Sequence, residues 1–226
     1  TRFPQLSQAQ REAEIQRWSA AFLRVWRIDL QVRGTPPVHG PLMLVANHIS
    51  WLDILVLQAA GFCRFVAKSD IQRWPVIGTM ATEAGTLYIE RESRRDALRV
   101  VHHMRDALLR GEVVGVFPEG TTSDGRTLLP FHANLIQAAI SAQSPVLPVA
   151  LEFVDAQTGA ISMAPIYIGD QSLGGSVWRT LTTPGIRAVV SYGVPQPAEG
   201  RERREWAAGL RSSVAALRGP QDSGGV

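Results

Sequence analysis

The fold of this chain is constrained most by an alternation that begins after Pro36 and Pro37, where short apolar runs rich in β-branched residues alternate with segments of helical periodicity. Strands that alternate with helices are typical of a mostly parallel sheet with helices on its faces. We therefore predict an α/β fold, in which a mixed, mostly parallel twisted sheet is flanked by helices. The apolar runs predict strands near residues 42–47, 62–67, 85–89, 112–117, 145–151, 161–168 and 186–194.

The N-terminal part of the chain predicts an amphipathic helix over roughly residues 7–27, because large apolar side chains recur there at helical spacing: Ile15, Trp18, Phe22, Val25 and Trp26. Arginines occupy several of the remaining positions. Such a helix either packs its aromatic stripe on the core or lies in the headgroup layer of a membrane. The sequence leaves both interpretations open.

Two further helices are indicated later in the chain. Ser93 and Asp96 have capping-box spacing at the start of a helix that runs to Gly111, and its predicted core face consists of Leu98, Val101, Met104 and Leu108. A charged amphipathic helix follows near residues 198–217. We divide the chain into three parts: an N-terminal helical segment over 1–34, an α/β domain over 35–218 and a disordered tail over 219–226.

The amino-acid composition limits the classes of molecule that we expect this protein to bind. The net charge is +3, and Lys68 is the single lysine, so arginine, the better bidentate partner for phosphate and carboxylate, carries nearly all positive charge. We predict no nucleic-acid partner, because the chain has no recognisable binding motif and no continuous basic stripe interleaved with aromatic residues. Cys63 is the single cysteine, which excludes an internal disulfide and a thiolate metal cluster. We interpret it as a small buried side chain.

Two other site classes are disfavoured. The neighbouring His102 and His103 point about 100° apart on one helix, so we interpret them as solvated or core-edge side chains rather than metal ligands. No apolar run reaches the roughly 18 residues that a membrane-spanning helix needs. We therefore predict no metal site and no spanning helix in this sequence.

Residues 47–53 place a histidine and a carboxylate at a predicted strand-to-helix corner. Ser50 is positioned to cap the helix, and Asp53 occupies the capping-box position three residues later. His48 lies just outside the helix, where a fixed carboxylate orients one ring nitrogen and leaves the other free to take a proton. The pattern predicts a general base with its orienting acid, although a capping Asp near a loop His is also common in purely structural corners.

A second group of polar residues follows neighbouring strands. Glu119, Gly120 and Thr121 come after the run at 112–117, where parallel sheets collect ligand sites; a simple polar turn is the structural alternative. Arg91 ends the strand at 85–89 and either clamps a phosphate or pairs with a nearby glutamate. Lys68 ends the strand at 62–67 and is either a second anion contact or a solvated rim residue.

Four ordered blocks of this chain resemble those of the glycerophospholipid acyltransferase family, of the 1-acylglycerol-3-phosphate acyltransferase type. They are Asn47-His48 with Asp53 five residues after His48, residues 85–91, residues 117–121 and residues 146–149. The resemblance covers roughly residues 40 to 150, and it is the order and spacing of the blocks together that make it specific.

The resemblance implies that His48, oriented by Asp53, deprotonates the free hydroxyl of a lysophospholipid, which attacks the thioester of an acyl-CoA or acyl carrier protein directly. It implies that Arg91, Glu119, Gly120 and Thr121 bind the acceptor. We add three further predicted substrate contacts, Lys68, Asn47 and Ser50. The acyl thioester is a co-substrate, and no cofactor is expected. We expect the protein at a membrane surface on the cytoplasmic side, peripheral or anchored by a segment absent from this chain.

The chain also departs from the family pattern. Thr122 stands where many members have arginine, and residues 130–134 lack the basic residue and glycine that many members carry. Positive charge for a phosphate is thus reduced, so lysophosphatidic acid is the leading acceptor and a different headgroup is the alternative. A thioester hydrolase that uses His48 and Asp53, and a noncatalytic lipid-binding module, are the competing functions. For the oxyanion, we expect donors among the backbone amides near Gly120 and Thr121.

Overall fold

The computed structural model describes residues 6–69, 72, 78, 81–82, 85–89, 94–169 and 171–219. The helices in these ranges are α1 (Gln8–Val25), α2 (Asp53–Ala60), α3 (Arg94–Leu109), α4 (Ala133–Ala142), α5 (Leu173–Thr182) and α6 (Arg203–Leu217). The strands are β1 (Asp29–Arg33), β2 (Leu42–Ala46), β3 (Arg64–Lys68), β4 (Leu87–Ile89), β5 (Val113–Val116), β6 (Val146–Asp155) and β7 (Ile186–Tyr192).

The strands form one sheet in the order β1-β7-β6-β2-β5-β3-β4. Neighbouring strands are parallel except β6 and β7, which are antiparallel, so β7 and its parallel neighbour β1 run against the other five. The predicted α/β fold with a mixed, mostly parallel sheet is therefore confirmed. Since β2, β5, β3 and β6 share one direction, their carboxyl ends meet at the same edge of the sheet.

Strand β2 lies near the centre of the sheet and is buried on both faces, which explains its continuous apolar sequence. Leu42, Leu44 and Ala46 contribute to a core shared with α1, α2 and α5. Met43 and Val45 point to the other face, into a core shared with α3, α4 and α6. The residues that follow β2 are therefore carried by a strand that is buried along its whole length.

Two strand assignments differ from the sequence prediction. The expected strand at 161–168 is wrong: among these residues Ile161 forms an isolated bridge with Val154, and the remainder is irregular. Its backbone groups instead bond to the loop after β2, as when Tyr167 N–H donates to the carbonyl of Ile49 at 3.2 Å. Strand β1 was not predicted, because this edge strand is mostly exposed and lacks an apolar run.

Helix α1 confirms the predicted N-terminal helix and begins with a capping box between Ser7 and Gln10. Its buried residues are Ile15, Ser19 and Leu23, whereas Trp18 and Val25 of the predicted stripe are exposed. The helix packs mainly against α2. No helix in the described ranges combines the length and apolarity needed to cross a membrane.

The remaining helix predictions are largely confirmed. In α3, Val101, Met104 and Leu108 are buried as expected, but Leu98 is exposed and Val100 takes its place in the core. Helix α6 begins at Arg203 rather than near residue 198. Ser93 and, apart from Gly219, the predicted disordered tail lie outside the described residues.

Candidate active site

His48 and Asp53 meet at the carboxyl end of β2. The Nδ1 atom of His48 lies 2.7 Å from Oδ2 of Asp53, which also accepts the backbone N–H groups of Ile49 at 2.6 Å and Ser50 at 2.9 Å. Because Oδ2 already accepts two N–H bonds, we assign the imidazole proton to Nδ1 and the acceptor lone pair to Nε2. The Asp53 side chain is fully buried, whereas that of His48 is 22% exposed. The arrangement leaves Nε2 as the ring nitrogen available to accept a proton.

The capping box predicted at this corner is half formed. The carboxylate of Asp53 accepts the N–H of Ser50 as expected, but Leu52 is the N-cap residue of α2. The hydroxyl of Ser50 donates instead to the carbonyl of Pro165 and accepts the N–H of Leu52 at 3.2 Å. Ser50 thus joins the corner to the irregular segment before α5, and its contact with a substrate stays a prediction.

Asn47 joins the end of β2 to the neighbouring strand β6. Its amide nitrogen donates to the carbonyl of Leu151 at 2.9 Å, and its amide oxygen accepts the N–H of the same residue at 2.7 Å. The side chain is completely buried. These two bonds fix the residue before His48, while the predicted role of Asn47 in substrate binding stays a prediction.

Glu119 ties two loops together. Its Oε1 accepts the backbone N–H of His48 at 2.8 Å, and its Oε2 accepts the N–H of Leu129 at 2.8 Å. Only 3% of the residue is exposed. Burial raises the pKa of its carboxyl, against the opposing effect of the two N–H bonds. The predicted contact between Glu119 and the acceptor stays a prediction, but its bonds in the structure position His48.

Phe117 stacks on the ring of His48, a contact that sequence reasoning missed. The ring centroids lie 4.2 Å apart with planes inclined by 12°, and Phe65 continues the stack behind Phe117 at 5.5 Å. The stack restricts rotation of the imidazole about its Cβ–Cγ bond. The available sequence signal was the position of a large aromatic residue at the end of a strand, immediately before Pro118.

The loop after β5 turns at Gly120, whose φ of +72° is a conformation that favours glycine. The N–H of Gly120 donates to the carbonyl of Phe117 at 3.1 Å, so this amide is already used within the turn. Thr121 is exposed. Thr122, at the position where many members of the resembled family have arginine, donates its hydroxyl to the carbonyl of Tyr167. The oxyanion role of the amides near Gly120 and Thr121 stays a prediction.

The side chains of both predicted basic contacts, Lys68 and Arg91, lie outside the described part of the structure. Lys68 ends β3 at the correct edge of the sheet, but only its backbone is described. Arg91 lies outside the described residues. The predicted anion contacts of both residues stay predictions.

Helix α6 and Arg218, which follows it, bind the loop after β5; we call these bonds the α6 brace. The Nε atom of Arg211 donates to the carbonyls of Leu128 at 3.2 Å and Leu129 at 3.0 Å. Arg218 donates to the carbonyl of Gly125, and burial lowers its pKa. Since Leu129 N–H is bound by Glu119, the brace connects through one carboxylate to the backbone of His48.

Other features of the molecule lie away from this site. A recess of about 1010 Å³ opens near the amino ends of the strands, lined in part by Arg11, Arg64 and Glu112, and by none of the predicted site residues whose side chains are described. Cys63 is fully buried, and burial raises its thiol pKa. Within the described ranges, no three His, Cys, Asp or Glu side chains come together as metal ligands.

Comparisons with known proteins agree with the fold and the motifs. A sequence model of the acyltransferase family matches residues 28–152. A 1-acyl-sn-glycerol-3-phosphate acyltransferase of Neisseria gonorrhoeae is 38% identical over 192 residues, covering 84% of this chain and 74% of the relative. A lyso-ornithine lipid O-acyltransferase of Pseudomonas aeruginosa is 32% identical over 197 residues, covering 87% and 75% respectively.

The crystal structure of a 1-acyl-sn-glycerophosphate (LPA) acyltransferase from Thermotoga maritima superposes with a TM-score of 0.65 and 21% identity. The match covers 91% of this chain and 79% of that chain. At this identity the likeness establishes a shared fold.

Proposed function

The chain belongs to the acyltransferase family, and from that premise we propose that it transfers a fatty acyl group from acyl-CoA or acyl carrier protein to the free hydroxyl of a lysophospholipid. The product of the leading reaction, with lysophosphatidic acid as acceptor, is phosphatidic acid. The observation that carries the mechanism is the 2.7 Å contact between His48 Nδ1 and Asp53 Oδ2 at a partly exposed sheet edge.

His48 acts as the general base in this scheme. Its Nε2 takes the proton of the acceptor hydroxyl while the hydroxyl oxygen bonds to the thioester carbonyl carbon. The resulting tetrahedral intermediate collapses, the carbon–sulfur bond breaks, and the thiolate leaving group recovers the proton from the imidazolium. No acyl-enzyme forms: the C–O bond replaces the C–S bond, and the proton of the acceptor hydroxyl ends on the thiol product.

Asp53 stabilises the imidazolium that forms during the reaction and holds the ring in the tautomer with a proton on Nδ1. Phe117 and Glu119 fix the ring plane and the backbone of His48, respectively. A base held in this way loses little entropy when the acceptor binds, which favours direct attack.

A second acceptor class is favoured by a specific observation. Thr122 stands where many members of the family have arginine, and its uncharged hydroxyl donates to the carbonyl of Tyr167. Relatives that include lyso-ornithine lipid O-acyltransferases are 32% to 40% identical to this chain. Acylation of a lysolipid with a headgroup other than phosphate is therefore the second candidate function.

The test is an acyl-transfer assay with purified protein, labelled acyl-CoA or acyl carrier protein, and lysophosphatidic acid beside lyso-ornithine lipid. The expected result is labelled phosphatidic acid with the first acceptor; labelled ornithine lipid instead would identify the second function. Thiol release without either acceptor would identify a hydrolase. Binding of lysolipid without any transfer, unaffected by His48→Ala, would identify a noncatalytic lipid-binding module.

The acceptor and product are membrane lipids, so the proposed reaction occurs at a membrane surface, on the cytoplasmic side where acyl-CoA and acyl carrier protein are found. Flotation with liposomes measures this association directly.

A further inference from the structure

Helix α5 exposes two large apolar side chains, Trp178 at 69% and Leu181 at 49%. They lie three residues apart and therefore share one face of the helix. The opposite face is seated in the protein, where Ser176 and Thr180 are buried. The apolar face of α5 thus points away from the sheet.

Helix α1 exposes further apolar side chains on the same side of the sheet. Trp18 is 41% exposed and Val25 is 79% exposed. The rings of Trp18, Phe22 and Trp26 form a continuous stack along the helix, with centroids 5.5 Å and 4.6 Å apart. Since α1 and α5 contribute to the same core, their outward faces lie on the same side of the sheet.

Trp51 contacts both helices. Its ring packs edge-on against Trp26 of α1 at 5.5 Å, and its Nε1–H donates to the hydroxyl of Ser176 in α5 at 3.2 Å. Trp51 belongs to the segment between His48 and Asp53. Helices α1 and α5 are therefore connected through Trp51, a residue of the loop that carries His48.

The charge around these apolar residues is positive. Arg24 and Arg27 lie beside Val25 and Trp26 at the C-terminal end of α1, whereas Arg17 is paired with Glu14. The sequence has no acidic residue between residues 171 and 187. Exposed tryptophan and leucine beside arginine are typical of protein surfaces that lie in the headgroup layer of an anionic bilayer.

We propose that the α1–α5 surface, defined by Trp18, Val25, Trp178 and Leu181, docks on an anionic phospholipid bilayer, with Trp178 and Leu181 of α5 as anchors that enter the headgroup layer. The proposal extends the proposed function, since the lysophospholipid acceptor resides in such a bilayer. It adds α5 to the N-terminal helix as a lipid contact.

The position of α5 relative to the site supports this surface. The irregular segment that leads into α5 bonds to the catalytic loop through Pro165 to Ser50 and through Tyr167 to Ile49. Met163, in the same segment, is 47% exposed. Docking through α5 therefore brings lipid beside the loop that carries His48.

The experiment compares vesicle binding of the full chain with that of the double variant Trp178→Ser/Leu181→Ser. Vesicles of phosphatidylcholine with about one third phosphatidylglycerol provide the anionic surface, and binding is measured by co-sedimentation. We expect the variant to bind at least about tenfold more weakly, because each side chain loses its apolar contact with lipid. The wild type should also bind pure phosphatidylcholine vesicles more weakly.

The matched control is Leu98→Ser/Leu109→Ser, which removes two leucines of 61% and 64% exposure from α3 on the other face of the sheet. It should bind vesicles as the wild type does. Thermal unfolding should be the same for all three proteins, since the altered residues are exposed. Equal vesicle binding by the α5 variant and the wild type would overturn the proposal.

Two further measurements distinguish bilayer docking from a protein interface and from an effect on catalysis. If the α5 variant dissociates a wild-type dimer in size-exclusion chromatography and binds vesicles normally, the surface is a protein interface and the proposal is wrong. Acyl transfer to a short-chain acceptor below its micelle concentration should be unchanged in the α5 variant. If the wild type shows no transfer, the proposed function fails, while the vesicle-binding result stands independently.

Discussion

The carboxylate of Glu119 accepts the backbone N–H of His48 at 2.8 Å, joining residues 71 positions apart in the sequence. The same carboxylate accepts the N–H of Leu129 at 2.8 Å. The family resemblance implied an acceptor-binding role for this glutamate, yet in the structure both of its oxygens hold the protein backbone. These two bonds of Glu119 lead to separate predictions for catalysis and for stability.

Glu119→Gln should reduce kcat more than it raises KM for the acceptor. Glutamine has one acceptor oxygen, so one of the two backbone N–H groups loses its partner and His48 shifts. We expect kcat to fall about tenfold or more and KM to change by less than about twofold. Steady-state kinetics with varied acceptor measures both. A large rise in KM at unchanged kcat would instead identify Glu119 as an acceptor contact.

The pH dependence of stability should also report on Glu119. Burial raises its pKa in the folded protein, so the folded chain binds this proton more readily than the unfolded chain. The contribution of Glu119 to stability is full below the unfolded pKa of about 4.3 and is lost as pH rises through the folded pKa. The free energy of unfolding of the wild type, relative to Glu119→Gln, should therefore decline as pH rises in urea titrations. A relative gain with rising pH would mean that the two N–H bonds outweigh burial.

His48→Ala should lower the rate of acyl transfer by roughly 10² or more, because it removes the proposed general base. The His48 side chain is partly exposed, so the fold should survive the change, as checked by thermal unfolding. Asp53→Asn provides a matched test of the orienting acid. If the amide NH₂ of the asparagine faces His48, Nδ1 loses the acceptor for its proton, or the ring adopts the other tautomer, with its proton on Nε2. Full activity of His48→Ala in the transfer assay would eliminate the proposed mechanism.

Phe117→Leu should lower kcat by about two- to tenfold, since an aromatic stack of this kind contributes roughly 0.5–1.5 kcal/mol to fixing a ring. If stacking is the cause, the conservative variant Phe117→Tyr should retain most of the wild-type rate. The two kcat values, measured at saturating donor and acceptor, are the comparison. If Leu and Tyr variants are equally active, the stack does not position His48.

Arg211→Met should lower the free energy of unfolding by about 2 kcal/mol, because it leaves the carbonyls of Leu128 and Leu129 without their charged donor. Arg204→Met is the control on the same helix, since Arg204 is exposed and its loss should be nearly neutral. Urea unfolding measures both. Equal stability of the two variants would show that the α6 brace does not stabilise the fold.

Local patterns in the sequence predicted the parts of the structure that depend on neighbouring residues. The apolar run at 42–46 is a central strand, and the spacing of His48 and Asp53 produces a bonded pair at its end. Both follow from short-range rules, which are periodicity along a strand and the geometry of a helix start. The convergence of residues 47–53 and 117–121 at one sheet edge follows from parallel strand direction.

The contacts that the sequence did not predict join distant segments. Phe117 reaches His48, Leu151 binds Asn47 and Arg211 binds Leu129 only because the strand order brings them together, and no local pattern encodes that order. Helix α1 illustrates a different limit. Hydrophobicity alone left open whether the stripe that includes Trp18 faces the core or a membrane; in the structure Ile15, Ser19 and Leu23 are the buried residues of the helix and Trp18 is exposed.

The brace from α6 sets an order of assembly during protein synthesis. His48 and Asp53 emerge from the ribosome early and are close in sequence, but the arginines that secure the loop around them are among the last described residues to appear. A nascent chain therefore contains His48 before it contains the arginines that hold the loop around it. The bonds from this C-terminal segment to the loop can form only after the helix that supplies them has been synthesised.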